Sequence, residues 1–115
     1  MRQYPRLTIA GLGGDTGKTV VSVGLSRLWR EKGYHVVPFK KGPDYIDMSW
    51  LGLGTRHSCY NLDLFFMTED QILFSFCLNT NQADIAIIEG NRGLYDGLDV
   101  EGSVSTAELL LITNI

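Results

Sequence analysis

Along the chain, short runs of consecutive apolar residues alternate with segments in which apolar residues recur every three or four positions. Short apolar runs predict three buried parallel strands, at 7–10, 35–40 and 83–88. Apolar residues three and four positions apart predict an amphipathic helix of about fourteen residues from Thr19, with Gly33 placed where a glycine ends such a helix. A second helix is predicted from the capping box at 68–71 through Cys77, and a last one from the capping box at 105–108.

The regular alternation of strands and helices is typical of an α/β fold. It predicts a parallel sheet of about three strands with helices on both faces. Pro38 cannot donate a ladder hydrogen bond, which indicates an edge position or a strand end for 35–40. The segment 41–66 is rich in glycine and polar residues, and we expect an irregular, functional loop there. A fourth strand would be expected where the sequence stops at Ile115, so the sheet is predicted to be incomplete.

A glycine-rich segment joins the first predicted strand to the first predicted helix. It has the composition of a phosphate-binding loop, in which backbone N–H groups and a lysine bind phosphates and a hydroxyl binds Mg²⁺. Five residues separate Gly11 from Gly17, one more than in the general pattern, and a turn that merely caps the helix is the alternative. Its place before a helix N-terminus favours phosphate binding. The predicted nucleotide-binding residues are Gly13, Gly14, Asp15, Thr16, Gly17, Lys18 and Thr19.

Acidic residues follow the second and third predicted strands. Asp44 and Asp47 lie three positions apart, so that one carboxylate suits a metal and the other a substrate or water. The Gly-Pro-Asp sequence around Asp44 is also ordinary turn chemistry. Glu89 ends the third strand, where nucleotide-hydrolysing α/β proteins hold Mg²⁺, and a cation is the simplest partner for a buried carboxylate. Asp96 precedes a glycine and fits a functional role and a turn equally well.

The composition argues against several classes of function. Ten Lys plus Arg against thirteen Asp plus Glu give a net charge of −3, which argues against a nucleic-acid-binding surface. No stretch approaches the ~18 apolar residues of a membrane span and no signal-peptide pattern is present, so we expect a cytoplasmic protein. Cys59 and Cys77 are spaced unlike a zinc motif and are expected to be buried or half-buried thiols. His35 and His57 also lack metal-ligand spacing and are interpreted as structural or surface residues.

Several segments resemble the cobyrinic acid a,c-diamide synthase family. The lengthened loop 11–19 is shared with this family and with the similar dethiobiotin synthetases. The most specific segment is Val37-Pro38-Phe39-Lys40-Lys41-Gly42-Pro43-Asp44-Tyr45-Ile46-Asp47. Further resemblance lies at 61–63, 89–97, 102–103 and 105–109. Lys41 and the pair Asn91-Arg92 depart from the residues usual in the family, which bears on fine substrate specificity.

The resemblance implies a P-loop NTPase fold and a carbon–nitrogen ligase of cobalamin biosynthesis. In such an enzyme ATP phosphorylates the a and c acetate carboxylates of a corrin, and ammonia from glutamine then attacks each acyl phosphate. Lys18 would stabilise the transferring phosphate, and Mg²⁺ would be held by Thr19, Asp47 and Glu89. The implied catalytic residues are Lys18, Asp44, Asp47 and Glu89. The implied substrate contacts are Asp44, Tyr45, Ile46 and Asp96.

The resemblance also implies a glutaminase domain or subunit as the source of ammonia. Residues 1–115 are then expected to be the N-terminal part of a synthetase domain, inactive or incomplete alone, and an open sheet edge would favour a homo-oligomer. Nickel-sirohydrochlorin a,c-diamide synthases share the same motifs, so the tetrapyrrole stays open. An inactive nucleotide-binding fragment and a partitioning-type P-loop ATPase also stay open as hypotheses. In that ATPase class a lysine stands where this chain has Leu12.

Overall fold

The computed structural model describes residues 5–12, 17–42 and 46–95, together with Thr106 and Leu109. The strands are β1 (Arg6–Gly11), β2 (Val36–Lys41), β3 (Tyr60–Leu62) and β4 (Ile85–Gly93). The helices are α1 (Lys18–Glu31), α2 (Ile46–Thr55) and α3 (Glu69–Thr80). Thr106 and Leu109 are helical, and the other residues of the last predicted helix lie outside the described residues.

The described strands form one parallel sheet with the order β1-β4-β2-β3. β4 comes last along the chain and pairs with both β1 and β2. In this register Glu89 lies opposite Ile9 on one side and opposite Lys40 on the other. The parallel sheet confirms the predicted α/β class. Because the strands run in one direction, their carboxyl ends lie along the same edge of the sheet.

Helices cover both faces of this sheet. On one face, α3 contributes buried residues to a core that contains Val37, Phe39, Leu62, Ile72, Phe76, Ala86, Ile88 and Leu109. Val36 and Ile87 point to the other face by strand alternation, where α1 contacts β1, β2 and β4 and α2 contacts β2. None of the described helices is both long and apolar enough to cross a membrane.

Two helix signals in the sequence are confirmed. Thr68 and Gln71 form a full capping box at the start of α3. Thr68 Oγ1 accepts from the Gln71 backbone N–H at 3.2 Å, and Gln71 Oε1 accepts from the Thr68 backbone N–H at 2.8 Å. Gly33 follows the end of α1 with a φ of 94°, the left-handed conformation that favours glycine after a helix.

The expectation of an irregular loop over 41–66 is wrong for most of that segment. It contains α2 and the short strand β3, which adds a fourth strand to the three predicted. Tertiary packing stabilises α2, because Gly54 is buried against α1. A Cβ at Gly54 would lie 3.3 Å from both Val23 Cγ1 and the Val23 carbonyl oxygen.

Pro38 also differs from its predicted place. It lies inside β2, an inner strand of the sheet, where it is paired with Ile87 of β4. On the opposite side of β2 the pairing with β3 begins only at Phe39. The sheet is therefore open on one side at Pro38, which lets an inner strand accommodate a residue that lacks an N–H donor.

Candidate functional site

Three neighbouring strands, together with the helices that follow two of them, meet at the carboxyl edge of the sheet. β1 leads to α1, β2 leads to α2, and β4 runs between β1 and β2. This arrangement brings Thr19 of α1, Lys40 of β2, Asp47 of α2 and Glu89 of β4 into one network of contacts. We call these four residues the carboxylate cluster. In open α/β sheets, ligands bind at this edge.

The N-terminus of α1 suits an anion. Gly17 precedes the helix in a left-handed conformation with a φ of 85°, which favours glycine. Among the described residues no side chain caps this end, and no acidic residue lies in the first turn. The first N–H groups of a helix have no intrahelical acceptor, and the helix dipole makes this end positive. The start of α1 therefore offers the donors that the loop sequence predicts for a phosphate.

Glu89 is the centre of the carboxylate cluster. Its side chain is 1% exposed. Oε1 accepts hydrogen bonds from Thr19 Oγ1 at 2.7 Å and from Lys40 Nζ at 3.1 Å. The second oxygen, Oε2, is buried and receives no hydrogen bond from the described residues. Because a buried carboxylate oxygen without a partner is costly, Oε2 suits a cation or an ordered water.

Lys40 is the member of the cluster whose role the sequence did not predict. Its side chain is also 1% exposed. Nζ lies 3.1 Å from Glu89 Oε1, 2.8 Å from the Gly90 carbonyl oxygen and 3.2 Å from Asp47 Oδ2. Three acceptors match the three N–H donors of an ammonium group. The sequence does carry a signal for this role, since a lysine in a strand of otherwise apolar residues is rarely buried without a partner.

The predicted Mg²⁺ ligands fall within this network. Thr19 bonds Glu89 directly, and Asp47, with 26% of its side chain exposed, reaches Glu89 through Lys40. No three His, Cys, Asp or Glu side chains come together in the part of the chain that the structure describes. Mg²⁺ is commonly bound by one or two carboxylates together with substrate phosphates and waters rather than by an all-protein cage. The hydroxyl of Thr19 and the open oxygen of Glu89 fit that kind of site.

Outside the carboxylate cluster, the structure describes only three of the predicted site residues, Gly17, Lys18 and Ile46. Lys18 is the first residue of α1 and is half-buried. Ile46 begins α2 with 74% of its surface exposed, so it is accessible to a ligand at this edge. The remaining predicted residues lie outside the described residues: Gly13, Gly14, Asp15, Thr16, Asp44, Tyr45 and Asp96.

Gly90 follows Glu89 in β4 and is closely packed. Its carbonyl oxygen accepts from Lys40 Nζ, and its α-carbon lies close to Thr106. A Cβ at Gly90 would lie 2.8 Å from Thr106 Cγ2, closer than real Cβ contacts allow. Thr106 Oγ1 accepts in turn from the Asn91 backbone N–H at 3.2 Å. The absence of a side chain at Gly90 thus allows Thr106 to pack directly on the strand that carries Glu89.

The two histidines and two cysteines lie outside this network. His35 and His57 precede β2 and β3, at the amino edge of the sheet, with ring centroids 5.1 Å apart. Nδ1 of His35 lies 3.0 Å from the Gln82 carbonyl oxygen, and Nδ1 of His57 lies 2.9 Å from the Ser58 carbonyl oxygen. His35 is exposed and His57 is half-buried, which agrees with the predicted structural or surface role, and both cysteines are half-buried.

Fold and site together define a class of protein. A parallel α/β sheet leads from its first strand through a glycine-rich segment into the N-terminus of a helix. The neighbouring strand β4 carries a buried carboxylate that accepts a hydrogen bond from the hydroxyl at the start of that helix, as in P-loop nucleotide-binding domains. Residues 7–108 match the CbiA family, described as the CobQ/CobB/MinD/ParA nucleotide binding domain, and the chain belongs to this family.

Its similar relatives include several cobyrinate a,c-diamide synthases. The chain is 50% identical over 107 residues to the one from Magnetococcus marinus, which covers 93% of the chain and 23% of the relative. It is 44% identical over 110 residues to the one from Archaeoglobus fulgidus, which covers 93% of the chain and 24% of the relative. The chain thus spans less than a quarter of the length of these curated relatives. The resemblance found in the motifs is confirmed by these identities.

Proposed function

We propose that the chain is the nucleotide-binding part of an ATP-dependent, glutamine-dependent ligase that amidates the a and c acetate groups of cobyrinic acid. The observation that carries the proposal is the Thr19–Glu89 hydrogen bond of 2.7 Å at the start of α1. It joins the hydroxyl that follows the phosphate-loop lysine to a buried carboxylate of the neighbouring strand β4. That pair is what a nucleotide-linked Mg²⁺ requires. The names of the relatives supply the proposed reaction.

The proposed chemistry has two steps. In the first, a substrate carboxylate oxygen attacks the γ-phosphorus of ATP, the bond from that phosphorus to the bridging oxygen breaks, and ADP leaves. In the second, ammonia released from glutamine attacks the acyl carbon, phosphate leaves with the former carboxylate oxygen, and a proton is lost to give the amide. The glutaminase that releases the ammonia would be a further domain or subunit.

The residues have separate roles in the first step. The N-terminus of α1 and Lys18 bind the phosphates and offset the negative charge that develops during transfer. Thr19, Glu89 and Asp47 would hold Mg²⁺, which when bound supplies charge neutralisation at the phosphoryl oxygens. Asp44, Tyr45, Ile46 and Asp96 are the residues proposed to meet the tetrapyrrole. Ile46 is accessible for this at the start of α2.

The test is corrin-dependent ATP turnover. ADP release and amide formation are measured with cobyrinic acid, glutamine and Mg²⁺, for the chain and for a version continued at its C-terminus to the length of its relatives. We expect turnover that requires the corrin in the extended protein. An extended protein that folds and binds ATP but shows no corrin-dependent ADP release would contradict the proposal. Nickel-sirohydrochlorin as a competing substrate decides between the two tetrapyrroles.

Site variants connect that activity to the residues named above. Lys18→Ala and Asp47→Asn are each expected to lower turnover about 100-fold or more, because the first removes a charge that offsets the transferring phosphate and the second removes a proposed Mg²⁺ ligand. Lys32→Ala is the matched control, since Lys32 is an exposed lysine beyond the other end of α1. Turnover equal to that of the control in either site variant would remove that residue from the mechanism.

A partitioning-type ATPase is the candidate from a different class, because the family includes MinD and ParA domains. Such proteins dimerise on nucleotide and hydrolyse it without a small-molecule acceptor. In this chain Leu12 stands where those proteins carry a lysine, and its side chain is exposed at the end of β1. ATP hydrolysis that is unaffected by cobyrinic acid, together with nucleotide-dependent dimerisation, would favour this second candidate.

A further inference from the structure

Lys40 places a fixed positive charge among the groups that are proposed to bind a divalent cation. Its ammonium group contacts both carboxylates, Glu89 at 3.1 Å and Asp47 at 3.2 Å. All of its N–H donors have acceptors within the fold, since the Gly90 carbonyl oxygen takes the third. Lys40 therefore occupies the position of a counter-ion to both carboxylates.

The sum of the charges in the carboxylate cluster affects how strongly it binds a metal ion. Lys40, Asp47 and Glu89 carry one positive and two negative charges, for a local sum of −1. A divalent cation added alone raises that sum to +1 in a buried setting, and it must approach carboxylates that already hold an ammonium group. A cation that arrives with the phosphates of a nucleotide brings its own negative charge, and the same repulsion is then offset.

We infer that Lys40 is a positioning residue that couples the metal to the nucleotide: it holds Glu89 and Asp47 in place and suppresses cation binding until phosphates are present. This inference rests on the proposed function in one respect, because it takes Thr19, Asp47 and Glu89 as the metal site. It goes beyond that function by assigning the order of binding to one residue. The opposing arrangement, in which Lys40 only supports the fold, predicts equal or weaker metal binding when the charge of Lys40 is removed.

The experiment uses Mn²⁺ as the probe, without nucleotide and at constant pH. Binding to the chain is measured from the loss of the free-ion paramagnetic resonance signal. Lys40→Met keeps an unbranched side chain one atom shorter and removes its charge. We expect it to bind Mn²⁺ about tenfold or more tightly than the unmodified chain, because one like charge within contact distance of the site is gone. A merely structural Lys40 would give equal or weaker binding, since loss of structure does not create affinity.

Lys41→Met is the matched control. It removes the same charge from the next residue of β2, and successive side chains of a strand leave opposite faces. Mn²⁺ affinity in this variant is expected to stay within about twofold of the unmodified chain, because the Lys41 side chain leaves the face of the sheet opposite to Lys40 and the carboxylate cluster. Equal gains in both variants would show a general charge effect and would overturn the role of Lys40.

Lys40→Met leaves Glu89 buried without its cation, so its folding is measured as well. We expect its melting temperature to fall without metal and to rise with Mn²⁺ by more than that of the unmodified chain. Folding only in the presence of Mn²⁺ supports the inference, since the metal then replaces the ammonium group. The double variant Lys40→Met with Glu89→Gln removes both charges and is expected to fold without gaining Mn²⁺ affinity. If it folds while Lys40→Met stays unfolded at any Mn²⁺ concentration, the inference is wrong.

These outcomes are independent of turnover. Absence of corrin-dependent ADP release counts against the proposed ligase and leaves the Mn²⁺ comparison valid. Unchanged Mn²⁺ affinity in Lys40→Met counts against the role of Lys40 and leaves the ligase proposal valid.

Discussion

Substituting Gly90 by alanine tests whether the packing behind Glu89 is as close as the structure shows. The added Cβ would lie 2.8 Å from Thr106 Cγ2 and 2.9 Å from Thr106 Oγ1. Thr106 is 1% exposed and bonded to Asn91, so it has little room to move away. Overpacking of this kind costs about 1–3 kcal/mol, from which about 0.5–1 kcal/mol is subtracted for the lower entropy of unfolded alanine. We therefore expect Gly90→Ala to destabilise the chain by about 0–2.5 kcal/mol, with a central value of about 1 kcal/mol.

The assay is urea unfolding followed by tryptophan fluorescence, with Gly24→Ala as the control. Gly24 lies inside α1, and a Cβ there would have no described atom within 4 Å. Gly24→Ala is therefore expected to stabilise the chain by about 0.5–1 kcal/mol, since alanine is the better helix former. The same substitution is thus expected to lower the free energy of unfolding at Gly90 and to raise it at Gly24.

A double-mutant cycle identifies the contact that is responsible. Thr106→Ala removes both atoms that the new Cβ would meet, and the next atom, the Ile9 carbonyl oxygen, would lie at 3.4 Å. In that background Gly90→Ala is expected to be neutral or slightly stabilising, which gives a coupling energy of about 1–2 kcal/mol. Equal costs of Gly90→Ala in the two backgrounds, or a gain like that of Gly24→Ala, would refute the reasoning.

Two further predictions concern α3. Phe76→Ala is expected to cost about 3–5 kcal/mol in urea unfolding, because the Phe76 ring is buried 5.1 Å from the ring of Phe39. Phe74→Ala on the same helix, where 69% of Phe74 is exposed, is expected to stay within about 0.5 kcal/mol, and similar costs at both positions would contradict the placement of α3. Thr68→Ala removes the capping contact to Gln71 and is expected to cost about 1 kcal/mol, whereas Thr68→Ser should retain most of it; equal losses would contradict a capping role.

Local chemistry explains which elements could be predicted from the sequence. The capping box at Thr68 and the glycine after α1 act within one helical turn, so the sequence around them is sufficient. α2 depends on contacts far along the chain. Its glycines weaken any helical signal, and the reason for Gly54 is the approach of Val23 in α1. β3 has three residues, which is too short for an alternating pattern to be recognised.

The residues of the candidate site also differ in whether the sequence alone predicts their role. Thr19 and Glu89 stand in patterns that carry their own physical reason, a hydroxyl after a phosphate-loop lysine and an acid at the end of an apolar strand. The contribution of Lys40 follows from strand order. Only because β4 lies beside β2 does Lys40 face Glu89 across the ladder, and neither spacing nor composition contains that adjacency.

The energetic cost of the carboxylate cluster is itself an argument for its function. A buried ion pair such as Lys40–Glu89 contributes little net stability, because the desolvation of both charges offsets their attraction. The neighbouring positions of β2 and β4 are filled by Val36, Phe39, Ile87 and Ile88 without any such penalty. Glu89 Oε2 adds a further cost, since no described donor reaches it. Apolar residues in place of Lys40 and Glu89 would pack equally well. The two charges are therefore best explained by a ligand that binds to them at the carboxyl edge of the sheet.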